Sequence, residues 1–220
     1  MITLSAQIQS MLPRFRLGAI VYQGITVAPS TGPFRGRFQL FQEHLRMEHN
    51  TDTIGQIPAI QAMREAFRRA GASPSRYRPS AEALLRRVLK GENLSPVNSA
   101  VDANNFFSLK YCLPFGIYDL SAIDGDIVCD IGGEKDAYQG LNGREIRMDG
   151  KILLRDAQGA FGSPYVDSTR TGVTEQTRDC LQIIYAHEMD DDGLLTITKQ
   201  VSHWFVQLNG GDIRETTVIR

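Results

Sequence analysis

The residue most able to do chemistry in this chain is a carboxamide where an aliphatic side chain is expected. Val101, Asn105 and Leu109 recur at i, i+4 and i+8, one face of a helix. Burying an amide unpaired costs roughly 1–3 kcal/mol by mutational estimates. Asn105 therefore either ties down local backbone or faces a pocket, where its NH2 group can donate and its carbonyl oxygen accept. Asn104 beside it poses the same choice. A second resource is charge: from Arg64 to Lys90 there are seven Arg and one Lys against Glu65 and Glu82. Such a segment can track phosphate, or can be the solvated side of amphipathic helices. Motifs of the common enzyme classes are absent: no P-loop, no GxSxG and no HExxH occurs.

The rest of the composition is ordinary. The chain has 220 residues, 42% hydrophobic and 22% charged, with a formal net charge of −1. It is long enough for a substantial core, and the molecule as a whole gives no polyanion-binding signal. Glu188 and Asp190 to Asp192 form an acidic cluster. Cys112, Cys129 and Cys180 are widely spaced with no CxxC, which suits buried thiols in a reducing compartment. His44, His49, His187 and His203 have no metal-ligand spacing with them, so neither metal nor cofactor is expected. No apolar run approaches the ~20 residues that span a bilayer, and Arg14 and Arg16 interrupt the N-terminal region. The default expectation is a cytoplasmic protein with no membrane partner.

The elements that must position these residues follow from periodicity. Residues 17–28 read as a buried strand with a bulge at Gly24, 34–47 and 57–70 as helices, and 71–75 as a link. A helix opens at Ser80 as N-cap and closes at Gly91, with Ala81, Leu84, Leu85, Val88 and Leu89 on its core face. A second begins at Asn98 or Ser99, where Ser99 and Asp102 have the form of a capping box. A bend over Leu113–Asp119 leads to a strand at 127–131. Asn142-Gly143 and Asp149-Gly150 are the two strongest hairpin signals, with strands expected near 137–141 and 151–156. Residues 159–171 read as irregular, 181–186 as a strand, 194–208 as a helix and 215–219 as a last strand. Helices dominate the first half and strands the middle, an α+β arrangement.

Arg78-Pro79-Ser80, Val101-Asp102-x-x-Asn105, Leu113-Pro114 with Tyr118-Asp119, Asp124-Gly125 and Gly172-Val173-x-x-x-Thr177 stand in an ordered set. That set resembles the B3/B4 domain, the editing domain of the phenylalanyl-tRNA synthetase beta subunit, which also occurs free-standing. The resemblance covers about 75–181, the best-matching core of a single domain over 1–220, with 1–74 an N-terminal portion of strand and helices. It implies a three-layer β/β/α sandwich, two sheets packed together with helices on one side. It also implies tRNA or aminoacyl-tRNA as partner. From the basic segment, Arg76, Arg78, Arg86, Arg87 and Lys90 are the candidates to track its phosphates, with burial of part of the set in salt bridges, Arg78 first, as the alternative. Nothing resembles an ATP-binding ligase core.

The same resemblance would bring three places together. These are the helix with Asn104, Asn105 and Ser108, the bend with Phe115, Gly116 and Tyr118, and the loop with Asp167, Thr169 and Thr171. In the related domains such a pocket accepts tyrosine misattached to the phenylalanine tRNA, and the ester is hydrolysed. A pocket built to hydrogen-bond a hydroxyl can favour tyrosine over phenylalanine strongly. Asn105 and Thr169 would then be the catalytic pair, and the others substrate-binding. Two positions depart from the family: Gly116 replaces a histidine and Thr169 a glutamate. Without that carboxylate, tyrosine preference is expected to fall by about tenfold to a hundredfold, roughly 1.5–3 kcal/mol for one charged hydrogen bond. Thr169→Glu should restore part of it, and Gly116→His should aid positioning if the glycine tolerates a side chain. Asp167 is a candidate to replace the carboxylate from a shifted position. Structural alternatives stay open: Asp102 as a helix cap, Asp119 as a pin for the bend, the asparagines as backbone ties, Phe115 and Tyr118 as core. The rival function is a binding module that kept the pocket without the chemistry.

Overall fold

The computed structural model describes residues 1–220. Its centre is the second of two four-stranded sheets, built from β10 (Asp212–Ile219), β2 (Phe15–Gln23), β9 (Cys180–His187) and β3 (Phe115–Asp119), in that order. The first sheet runs β1 (Ile2–Leu4), β4 (Ile127–Ile131), β7 (Ile152–Asp156) and β8 (Gly159–Gly162). Only the β1–β4 pair is parallel; the remaining pairs of both sheets are antiparallel.

Alternation along the central strands explains the layering. Phe15, Leu17 and Ala19 of β2 and Leu181, Ile183 and Tyr185 of β9 turn toward the first sheet. There they pack in one core with Ile127, Cys129, Ile131, Ile152, Leu154 and Phe161. Ile20, Tyr22, Ile184 and Ala186 turn the other way, onto a helical layer of α5 (Ser99–Tyr111) and α6 (Asp191–Asn209), meeting Ala103, Phe107, Leu194 and Phe205. β9 is buried at every position because it is covered on both faces. Burial of each such Leu, Ile or Phe is worth about 1.5–3 kcal/mol. The result is the expected α+β sandwich of sheet, sheet and helices.

Four more helices close the ends. α1 (Ala6–Met11) and α3 (Pro58–Ala70) flank the inter-sheet core, to which Ile8, Met63 and Phe67 contribute. α2 (Gly32–Glu48) and α4 (Ser80–Leu89) share a smaller core with Phe38, Leu45, Leu85 and Val88. Side-chain caps start α5 and α6: Asn98 accepts from the Val101 amide at 2.9 Å and Asp190 from the Gly193 amide at 2.6 Å.

Local readings needed correction where tertiary contacts outbid the local signal. Ser80 is the first helical residue of α4, not its cap; Pro79 holds the cap position and the Ser80 amide donates to the Pro164 carbonyl at 2.9 Å. Ser99 and Asp102 do not cap each other. Ser99 Oγ donates to Asn209 Oδ1 and accepts from the Ala28 amide, while Asp102 accepts from Ser30 Oγ and the Val97 amide. Asn142-Gly143 does turn a hairpin between β5 (Ala137–Gln139) and β6 (Glu145–Arg147). Asp149-Gly150 does not, because β7 pairs with β4 and β8 instead of β6. The bend at 113–119 contains a strand, β3, and the irregular 159–171 stretch opens with another, β8.

The close fit of helix on sheet is set at Gly18, where a Cβ would stand 2.5 Å from Thr198 Oγ1 on α6. Gly18→Ala is expected to lose about 1–3 kcal/mol to overpacking. Thr198→Ala in the same chain should recover part of that loss, read as a positive coupling in a urea-denaturation double-mutant cycle. Strict additivity would contradict the contact.

Candidate functional site

One cavity of about 500 Å³ opens between α4, α5, β3, the β5–β6 turn and the 163–173 segment. Leu84, Val101, Phe115, Ile117, Val166 and Val173 supply apolar wall, and Asn104, Asn105, Asp167 and Arg87 supply polar groups. Leu141 and Val97, 60% and 64% exposed, also line it.

The two asparagines have different jobs. Asn104 is buried; its Nδ2 donates to the Phe115 carbonyl at 3.1 Å and its Oδ1 accepts from Gln182 Nε2 at 2.9 Å. It fastens α5 to the second sheet. Asn105 is half-buried and lines the cavity, and its side chain makes no hydrogen bond within the protein, so its carboxamide is free to meet a ligand. Ser108 is spent on local structure, donating to the Leu113 carbonyl at 2.7 Å.

The carboxylate is held by a tyrosine pair under the cavity. Tyr118 Oη donates to Asp167 Oδ1 at 2.8 Å and lies 2.9 Å from Tyr185 Oη; the Ser163 amide also donates to Oδ1 at 3.0 Å. A carboxylate accepts only, which orders the chain as Tyr185 to Tyr118 to Asp167. Burial pushes the Asp167 carboxyl above its ordinary 3.8 up to about 7, and the bonds from Ser163 and Tyr118 pull the other way. Both tyrosine hydroxyls are raised well above 10.0, mainly by burial.

Gly116 and Thr169 stand apart from the cavity lining. A Cβ on Gly116 would lie 2.5 Å from Tyr118 Cζ, with the hydroxyl closer still, and one on Gly162 would lie 2.7 Å from the same atom. The Tyr118 ring fills the space over both glycines, so a histidine at 116 would displace it rather than aid positioning. Thr169 is exposed and its Oγ1 donates to the Gln139 carbonyl at 3.2 Å, on the β5 strand. Thr171 is fully buried with no partner for Oγ1, and its carbonyl accepts from the Asp119 amide at 2.9 Å. Asp119 itself accepts from Ser121 and Thr177, which pins the start of the following turn. Sequence reasoning missed Tyr185, whose only signal was its polar tip, one of two polar groups with Gln182 in the otherwise apolar run LQIIYA.

The basic set divides. Arg78 and Arg86 converge with Arg64 on Glu82, fully buried, at 3.6, 2.8 and 3.7 Å, so they are partners of a buried carboxylate. Arg76, Arg87 and Lys90 are exposed; Arg76 lies over the Tyr77 ring and Arg87 lies 3.5 Å from Glu92 while lining the cavity. No helix is long and apolar enough to cross a membrane.

Two outcomes follow from this geometry. Gly116→Ala is expected to lower the denaturation midpoint by at least about 1–3 kcal/mol of stability; an unchanged midpoint would contradict the packed ring. Asp167→Asn should affect stability in a pH-dependent way. The folded carboxyl keeps its proton up to about pH 7 while the unfolded one loses it near 3.8. Stability therefore falls as pH rises across that window and the cost is complete above it. Melting curves should show the Asn variant gaining on wild type through the window, with no further gain above it; a constant difference would overturn the assignment.

Comparison with known proteins identifies a family. The model of the B3/4 domain matches residues 62–191. The uncharacterized protein YhzB of Bacillus subtilis (strain 168) is 24% identical over 194 residues, covering 88% of this chain and 87% of that protein. The phenylalanine–tRNA ligase beta subunit of Paramagnetospirillum magneticum is 27% identical over 97 residues, 43% of this chain but 12% of the subunit. An N-terminal fragment of the phenylalanyl-tRNA synthetase beta subunit from Pyrococcus horikoshii aligns with a TM-score of 0.47 at 12% identity, over 99% of this chain and 50% of the fragment. With more than half of its length matched, from Ala62 to Asp191, this chain belongs to the B3/4 domain family.

Proposed function

We propose that this chain binds the aminoacyl end of a charged tRNA and hydrolyses the ester of mischarged species, acting as an editing enzyme. The observation that carries the reading is the cavity itself. Its volume of about 500 Å³ suits one amino-acid side chain with part of a ribose, and its apolar wall carries a free carboxamide and a carboxylate. Family membership and the likeness to a phenylalanine–tRNA ligase beta subunit support the tRNA context. In this reading Arg87, exposed and on the cavity wall, meets a phosphate of the acceptor end, with Arg76 and Lys90 as further exposed cations.

A second reading, a binding module without chemistry, has an observation in its favour. Gly116 is covered by Tyr118 and Thr169 is turned to solvent, so neither position contributes a group to the cavity. Deacylation of tyrosyl- and phenylalanyl-tRNA by the purified chain decides between them. The hydrolase reading expects release faster than buffer, lowered in Asn105→Ala with an unchanged melting point. Thr169→Glu should leave the tyrosyl-to-phenylalanyl ratio unchanged. Saturable tRNA binding with release at the buffer rate would leave the binding module, and loss of both would sink both readings.

A further inference from the structure

We propose that Asp167 is the general base of this site, held through one carboxylate oxygen by Tyr118 so that the other takes a proton from the attacking water. The assignment rests on the hydrolase reading above and goes beyond it by naming the group that moves the proton.

The geometry separates the two oxygens of one carboxylate. Oδ1 is saturated by the Tyr118 hydroxyl at 2.8 Å and the Ser163 amide at 3.0 Å. Oδ2 accepts no hydrogen bond from the protein, yet it is not among the buried side-chain atoms left without a partner. It reaches open space, and the space that Asp167 lines is the cavity. A side chain needed only to hold Tyr118 would not have to present its second oxygen there. The tyrosine is fully buried in turn: its ring is packed over Gly116 and Gly162 and edge-on to Phe161, with centroids 5.1 Å apart. Tyr185, donating to Tyr118, leaves that hydroxyl one direction in which to give its proton, toward Asp167. Burial raises the carboxyl to about 7, where a base is both ionised and strong enough to work at neutral pH.

The step balances without a co-reactant beyond water. The water oxygen forms a bond to the ester carbonyl carbon as its proton passes to Asp167 Oδ2. The free amide of Asn105, on the same cavity wall, is placed to donate to the carbonyl oxygen as it gains charge. The carbon–oxygen bond to the ribose then breaks, and its electron pair stays on the ribose oxygen. That oxygen takes the proton back from Asp167. The products are the free amino acid and the tRNA with its terminal hydroxyl restored, and the carboxylate is regenerated. Tyr118 touches no reacting atom and is a positioning residue.

The test measures single-turnover deacylation of tyrosyl- and phenylalanyl-tRNA across neutral pH with the full chain. Wild type should rise with pH along one limb centred near 7. Asp167→Asn, which retains an acceptor for Tyr118, should lose the limb and fall by about a hundredfold or more. It should still bind a non-hydrolysable amide-linked aminoacyl adenosine as wild type does. Tyr118→Phe removes a bond that favours the ionised form, so its limb should move to higher pH, a shift that mere loss of packing would not produce. An Asp167→Asn rate equal to wild type, or a limb that persists in that variant, overturns the proposal and leaves the hydrolase reading standing. A wild type that hydrolyses neither ester defeats the hydrolase reading, and this proposal with it.

Discussion

The bond from Tyr118 to Asp167 is the constraint on which the site depends. It joins β3, at the edge of the second sheet, to the segment that leaves β8 at the edge of the first. The two strands lie at the same side of the sandwich, and the tyrosine ring fills the gap between their glycines. A side chain at either glycine would push the ring outward and break the bond. The cost of the arrangement is a carboxylate kept where its charge is poorly solvated, and the same burial makes it useful. An aspartate in open water would be fully ionised and weakly basic at neutral pH; this one is poised between its two forms.

Charge elsewhere follows a different logic. Glu82 is fully buried within α4, and a lone buried carboxylate would be strongly destabilising. Three arginines from α3, α4 and the segment before α4 surround it. Much of the basic character that reads as a polyanion signal in the sequence is thus an internal counter-charge. The exposed cations left to meet an external phosphate are fewer, and one of them, Arg87, sits on the cavity wall beside Glu92.

Fold and site were legible to different degrees. β4 was readable to the residue because Ile127, Cys129 and Ile131 alternate with half-exposed neighbours, a pattern local to the strand. β3 was read as a bend because Pro114 and Gly116 are breakers in a linear scan. Its glycine is instead explained by the Tyr118 ring packed against it, a contact on the same strand that only the packed sheets reveal. The Asp149-Gly150 turn has hairpin chemistry, but register against β4 decides the partner of β7. Within the site, Asn105 stood out in the sequence as an amide needing an explanation. Adjacent helical residues point about 100° apart, so the backbone tie fell to Asn104 and the open face to Asn105, which composition could not apportion. Thr169 was assigned through a family position, and the strand β5 that holds its side chain away from the cavity is set by contacts thirty residues distant.

The claim that a half-buried, tyrosine-held carboxylate faces the cavity is tested most directly by the side-chain carboxyl ¹³C resonance of Asp167, followed by NMR through a pH titration. The account predicts a midpoint near 7 in wild type, moving upward in Tyr118→Phe. A midpoint at the ordinary aspartate value of 3.8, unaffected by removal of the Tyr118 hydroxyl, would contradict it.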